Sequence, residues 1–185
     1  MKRLMREEVI RIPESVEVKL NDKIFEAIGP KGTVKKDFRH LNLTITLENN
    51  SIFVRLWNGN SREQSKLITC ASLIKNALTG CSKGYRYVMK AAFKHFPIGM
   101  EVEENGKKII IKNFLGEKRL RRFDVLGDSV ARLGEEKDTL VIEGPSIDDV
   151  SQCAGNIMNS CKPKNFDRRI FMDGVYISKK GLIEE

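Results

Sequence analysis

The chain is built twice from one plan. Val16-Glu17-Val18, Asn21-Asp22 and Gly32 recur as Met100-Glu101-Val102, Asn105-Gly106 and Gly116, each 84 positions on. Leu67, Cys70, Ala71 and Ile74 recur as Val150, Cys153, Ala154 and Ile157, 83 positions on. A period of this length is a whole small domain, too long for a solenoid repeat. The 185 residues therefore read as two similar units, each of a size that buries only a thin core. The boundaries expected are 1–82 for the first unit, 83–161 for the second, and 162–185 for a C-terminal extension with no counterpart in the first.

Hydrophobic periodicity sets the class of each unit. Val16, Val18 and Leu20 alternate with polar residues, as do Ile52, Val54 and Leu56, so each set lines one face of a strand. Leu41, Leu43, Ile45 and Leu47 alternate more strictly still. Asn21-Asp22 and Glu48-Asn49-Asn50 read as turns between such strands. The period then changes to 3.6. Ser61 and Gln64 have capping-box spacing, Leu67, Cys70, Ala71, Ile74 and Leu78 form one helical stripe, and Gly80 reads as the stop. In the second unit the order is the same. Gly84 to Phe93 reads as a strand, 101–111 as a hairpin, and Ser146 with Asp149 as the cap of a second helix. That helix carries the stripe Val150, Cys153, Ala154, Ile157 and Cys161. One apolar stripe against one alternating sheet predicts an α+β fold: two duplicated domains, each an antiparallel β-sheet packed against one α-helix, plus a basic C-terminal extension.

Cys70, Cys81, Cys153 and Cys161 include no C-x-x-C pair, and three fall on helix stripes. They read as small core residues in a reducing compartment, with neither disulfide nor metal expected. No apolar run approaches the ~20 residues of a membrane span, and no signal peptide is legible. The expected location is the cytoplasm.

Reactive chemistry is thinly represented. His40 and His95 are the two histidines, and neither stands in a nucleophile motif. Gly29-Pro30-Lys31-Gly32-Thr33 lacks the P-loop spacing and precedes a strand, so it reads as a turn. Glu103-Glu104 and Glu135-Glu136 lie beside turns and read as solvated charge. No catalytic residue and no cofactor are expected.

Charge is more informative. The formal net charge is +8, with a pI near 9.4. Residues 83–122 carry eleven Lys and Arg against four acids, 123–160 two against eight, and 161–180 six against two. Such segregation suggests one face for a polyanion. Two basic clusters stand out: 117–122, with Lys118, Arg119, Arg121 and Arg122, and 162–169, with Lys162, Lys164, Arg168 and Arg169. Arginine offers forked donors to phosphate and lysine a point charge. The clusters suit backbone and shape recognition of folded RNA.

Further runs carry a resemblance. Gly84-Tyr85-Arg86-Tyr87, His95-Phe96-Pro97-Ile98, Asn113-Phe114-Leu115-Gly116-Glu117-Lys118 and Phe171-Met172-Asp173-Gly174-Val175-Tyr176-Ile177-Ser178 are similar to the archaeal and eukaryotic branch of the ribosomal protein L6 family, called L-nine in eukaryotic cytosolic ribosomes. Arg169-x-Phe171-x-Asp173-Gly174-Val175-Tyr176 followed by Lys179 is the most specific run. Gly29-Pro30-Lys31-Gly32 with Lys35, Lys36, Asp37 and Phe38 resembles the family's first domain. The resemblance implies a structural constituent of the large ribosomal subunit, bound to large-subunit rRNA chiefly through the second domain and its extension. It implies a place near the sarcin–ricin loop and stalk base, beside neighbouring ribosomal proteins and transiently near translational GTPases. In a eukaryote it implies nucleolar passage during assembly. The rRNA-binding residues expected are Lys118, Arg119, Arg121, Arg122, Lys162, Lys164, Arg168, Arg169, Lys179 and Lys180, with no membrane partner and no homo-oligomer. A non-ribosomal RNA-binding adaptor or translational repressor using the same surface is the alternative.

Overall fold

A computed structural model describes residues 4–164, 167 and 169–183. The chain divides into two compact units, Met1–Lys83 and Gly84–Glu185. The first holds β1 (Met5–Arg11), β2 (Glu17–Asn21), β3 (Ile24–Gly29), β4 (Gly32–Asp37), β5 (Thr44–Glu48), β6 (Ser51–Trp57) and α1 (Ser61–Lys83). Its strands form two antiparallel sheets, in the orders β1-β6-β5 and β2-β3-β4. Phe25, Ile52, Val54, Leu67, Cys70 and Ile74 lie at the centre of the core, at most 1% exposed.

The second unit repeats this plan with β7 (Tyr85–Ala92), β8 (Gly99–Glu103), β9 (Lys108–Lys112), β10 (Arg121–Asp124), β11 (Val130–Leu133), β12 (Thr139–Gly144) and α2 (Ile147–Ser160). The sheet β8-β9-β10 answers to β2-β3-β4, and β7-β12-β11 to β1-β6-β5. The α+β duplication read from the 84-residue spacing is therefore a duplication of strand order as well. Met89, Ile109, Ile111, Leu140, Ile142, Val150, Ala154 and Ile157 are fully buried.

Local chemistry explains the joints. Asp22-Lys23 and Asn49-Asn50 have φ of 45°, 63°, 44° and 62°. This left-handed pair matches the twist of two-residue hairpins. Pro30-Lys31 links Gly29 to its register partner Gly32. The tip packs on the last turn of α1, where the Lys31 N–H donates to the Cys81 carbonyl at 3.1 Å. A Cβ on Gly29 would stand 2.5 Å from that carbonyl oxygen. The turn thus serves as a helix cap, meeting one of the carbonyls every helix C-terminus leaves free.

Several expectations are corrected. The N-cap of α1 is Asn60, not Ser61: Gln64 N–H donates to the Asn60 carbonyl at 3.0 Å, and Glu63 accepts from the Asn60 N–H at 2.8 Å. Gln64 instead accepts from Arg6 at 2.7 Å. Helix α1 continues past Gly80, which is buried inside it, and stops before Gly84, whose φ is 74°. The strand through Leu41 to Leu47 begins only at Thr44, and Leu47 is exposed. The largest correction concerns the extension. Residues Gly174–Leu182 form β13, which pairs antiparallel with β7 and makes a four-stranded sheet β11-β12-β7-β13. Val175 is 1% exposed and joins the core, with Ile177 packed against it. Alternation in so short a run did not identify a core strand, because two lysines follow Ile177 and a register shift at Ser178 breaks the period.

Candidate nucleic-acid interface

Lys164 of the second basic cluster meets the first cluster in one groove. The loop 117–120, strand β10, the last residue of α2 and the segment after it line a groove of about 500 Å³. Arg119, Arg121, Arg122 and Lys164 contribute its cations, and Leu120 and Phe123 its apolar surface. Positions 37 residues apart or more are brought together because β10 lies beside the C-terminal end of α2.

Arg121 is the organiser. Its guanidinium lies 4.4 Å from the centroid of the Phe114 ring. It donates twice to the Glu117 carboxylate, at 3.1 Å from Nε and 2.7 Å from Nη2. Nη1 donates to the carbonyl of Ser160, which ends α2. A cation at a helix C-terminus meets both free carbonyls and the negative end of the dipole. The hydrogen bonds from Arg121 hold the Glu117 carboxyl below its usual range, helped by the charges of Arg121, Arg119 and Lys164. Beside this clamp, burial pushes the Cys161 thiol up to about 11. Arg121, whose side chain is 19% exposed, is thus committed to internal contacts.

Alternation along β10 turns its neighbour outward. Arg122 is exposed, as are Lys118, Arg119 and Lys164. Arg119 and Lys164 lie close enough to Glu117 to act on its carboxyl, whereas Lys118 and Arg122 form no ion pair among the described residues, so the groove keeps cationic charge for a phosphate backbone. Lys162 is half-buried and donates to Asn159 Oδ1. Arg169 is exposed, its backbone N–H bonded to Asp167 Oδ1 at 2.9 Å. Arg168 falls outside the described residues.

Lys179 and Lys180 lie elsewhere, on β13, and the pleat sends them to opposite faces. Lys180 lies with its Nζ 5.6 Å from the Tyr87 ring centroid. Lys179 borders a depression of about 270 Å³ on the sheet face away from α2, with Arg86, Lys90 and Arg132. Carboxylates answer most of that charge: Glu143 binds both Arg86 and Arg132, the latter at 2.7 Å, and Glu136 binds Lys90 at 3.2 Å. Sequence reading missed Arg86, Lys90 and Arg132. For Arg86 and Lys90 the signal was their alternation with the buried Tyr85, Tyr87 and Met89 along β7.

Among the described residues no group of three or more His, Cys, Asp or Glu could hold a metal ion, and no helix there is long and apolar enough to cross a membrane.

Comparison with known proteins supplies a family. The model of the family described as Ribosomal protein L6 matches residues 12–84 and 96–174, one stretch in each unit. The chain is 40% identical over 189 residues to large ribosomal subunit protein uL6B of Saccharomyces cerevisiae, covering all of this chain and 99% of that one. It is 42% identical over 183 residues to uL6 of Saccharolobus solfataricus, covering 98% of each. To uL6 of Tetrahymena thermophila it is 40% identical over 186 residues, again 98% of each.

Proposed function

Because the chain belongs to the ribosomal protein L6 family, we propose that it is a structural constituent of the large ribosomal subunit, gripping large-subunit rRNA through the groove of its second unit. The family consists of structural ribosomal proteins, and the chain is not an enzyme. The observation that carries the RNA reading is the convergence of Arg119, Arg122 and Lys164 on one groove, braced by Arg121 through Glu117 and Ser160. Three exposed cations on a rigid frame suit a phosphate backbone, whose spacing is regular and whose sequence they do not read. Lys118 is a further contact beside the groove, and Lys162 and Arg169 are further contacts on the segment before β13, with Arg168 added from its place in the same basic run of the sequence alone. Lys179 and Lys180 offer separate contacts on that strand.

In this reading the protein works in the cytoplasm, within the cytosolic ribosome, and passes through the nucleolus if its source is eukaryotic. Its place is near the sarcin–ricin loop and the stalk base, next to other large-subunit proteins, where translational GTPases dock. The support is family membership together with the cationic groove of the second unit. Sedimentation of tagged protein from cells tests it. Quantitative co-migration with large subunits and polysomes is expected; a mostly free pool would replace it with the adaptor or repressor reading.

A further inference from the structure

We propose that the free edge of β1 is a docking site for an extended segment of another protein, which adds to the first unit as a fourth, antiparallel strand. The duplication supplies the argument. The sheets β1-β6-β5 and β7-β12-β11 hold equivalent strands in the same order. In the second unit the outer edge of β7 is occupied by β13, paired at eight positions from Gly174↔Ala92 to Leu182↔Tyr85. Among the described residues the corresponding edge of β1 carries no strand. One copy of the plan is thus complete with four strands, and the other stops at three.

The edge itself is fit to pair. Its 7 residues span about 23 Å at ~3.3 Å each, and an edge strand turns unpaired N–H and C=O groups outward. Charged side chains, lysine above all, with proline and bulges are the usual protections of such an edge. Between Met5 and Arg11 there is neither Lys nor Pro, and the pairing with β6 runs without a register shift. Of its four charged residues, Arg6 is drawn to Gln64 and Glu7 to Arg55, which leaves Glu8 and Arg11. Apolar side chains flank the edge on both faces. Val9 is 54% exposed and Met5 39%, and Trp57, the cross-strand partner of Met5, is 62% exposed. On the helix side, Arg6 reaches Gln64 of α1, and Ile68, one turn further along the same helix face, is 46% exposed. Large exposed apolar groups gathered at one edge mark a protein-binding surface.

Charge decides against nucleic acid here. Strand β1 carries Arg6 and Arg11 against Glu7 and Glu8, and Glu7 is held by Arg55 at 3.0 Å. Without a net positive field there is no counterion release to drive RNA binding. The partner strand that fits has apolar residues on both faces, so that one set covers Ile68 and the other covers Met5 and Val9. Strand β13 has that pattern: Val175 and Ile177 face the core, and Tyr176 lies on the opposite face, exposed. Main-chain pairing supplies affinity and alternate side chains supply selectivity in this mode of recognition.

The test uses the intact, purified chain and a synthetic peptide of residues 172–183 as probe. The chain's own β13 already occupies β7, so added peptide reports on a second edge. This experiment needs no ribosome, and its failure is separate from failure of the sedimentation test. Amide hydrogen exchange is followed with and without peptide, in the native sequence and in Val9→Lys, which sets a charge on an exposed position of the edge strand. Exchange over residues 5–11 is expected to slow by about tenfold or more, with residues 85–92 unchanged. Val9→Lys is expected to keep the melting temperature and lose about tenfold in peptide affinity. No slowing at 5–11, slowing confined to 85–92, or equal binding by Val9→Lys overturns the proposal. So does protection of residues 5–11 by a large-subunit RNA fragment offered in place of the peptide.

Discussion

Arg121 and Arg122 are neighbours with different work. The pleat points Arg121 at Phe114, Glu117 and the end of α2, and leaves Arg122 in solvent. Arg121→Ala removes the donor to the half-buried Ser160 carbonyl and the contact with the Phe114 ring, so it should cost the second unit about 1 kcal/mol. Arg122→Ala should leave the melting temperature unchanged. It should weaken binding to a large-subunit RNA fragment and lower the salt slope by about one, as expected for one lost phosphate contact. Thermal melting and filter binding at several salt concentrations separate the two. The buried thiols make a pH prediction. Burial raises Cys70 and Cys161 from 9.0 to about 11. The unfolded chain ionises these thiols near 9 while the folded chain keeps them neutral. Their contribution to stability is full below pH 9 and is lost as pH rises towards 11. Urea denaturation from pH 8 to 11 should show this decline, shallower in a Cys70→Ala/Cys161→Ala variant. Cys70 and Cys81 are 11 positions apart on α1, about 16 Å at 1.5 Å per residue, far beyond disulfide reach.

At the scale of the element, the ends of the helices carry the lesson. A capping box was legible at α1, but one residue late. Ser61 with Gln64 and Asn60 with Glu63 have the same spacing, and only the hydrogen bonds choose between them. Gln64 was lost to the box because Arg6, from a distant strand, takes its side chain. Glu63→Ala should therefore cost about 0.5–1 kcal/mol while Ser61→Ala costs almost nothing. Ser146→Ala should cost about 1 kcal/mol, since Ser146 accepts from the Asp149 N–H. Gly84→Ala should cost about 1 kcal/mol, because φ of 74° strains any Cβ. Chemical denaturation of the four variants checks the ranking.

At the scale of the molecule, the duplication is exact in strand order and broken at one edge. In the second unit the chain returns after α2 to add β13. Truncation after Asp173 removes Val175 and Ile177 from the core and opens the edge of β7. It should destabilise the second unit by roughly 3 kcal/mol or more, from buried apolar area alone, and leave the first unit intact. Hydrogen exchange resolved by unit would show the difference; equal protection in full-length and truncated chains would mean that β13 adds no stability. Incorporation of the truncated chain into subunits should fall with its stability, so loss of assembly alone does not locate an RNA contact in 174–185.

The sequence by itself determined the two units, their α+β class, both helix stripes and the clusters of basic charge. The units show as a repeat of the same motifs 84 positions on. The class, the stripes and the charge clusters are local periodicities or local counts, readable because side chains a fixed number of positions apart share a face. Only the tertiary structure decided that Lys164 shares a groove with the cluster 117–122, that Arg121 is spent inside it, and that the tail is partly a core strand. Those outcomes depend on which strand lies beside which helix end. Pairing of that kind joins residues tens of positions apart and leaves no period in the chain. The same reason explains β1: nothing in Met5 to Arg11 says that its edge is open, and its sister β7 shows what closes such an edge.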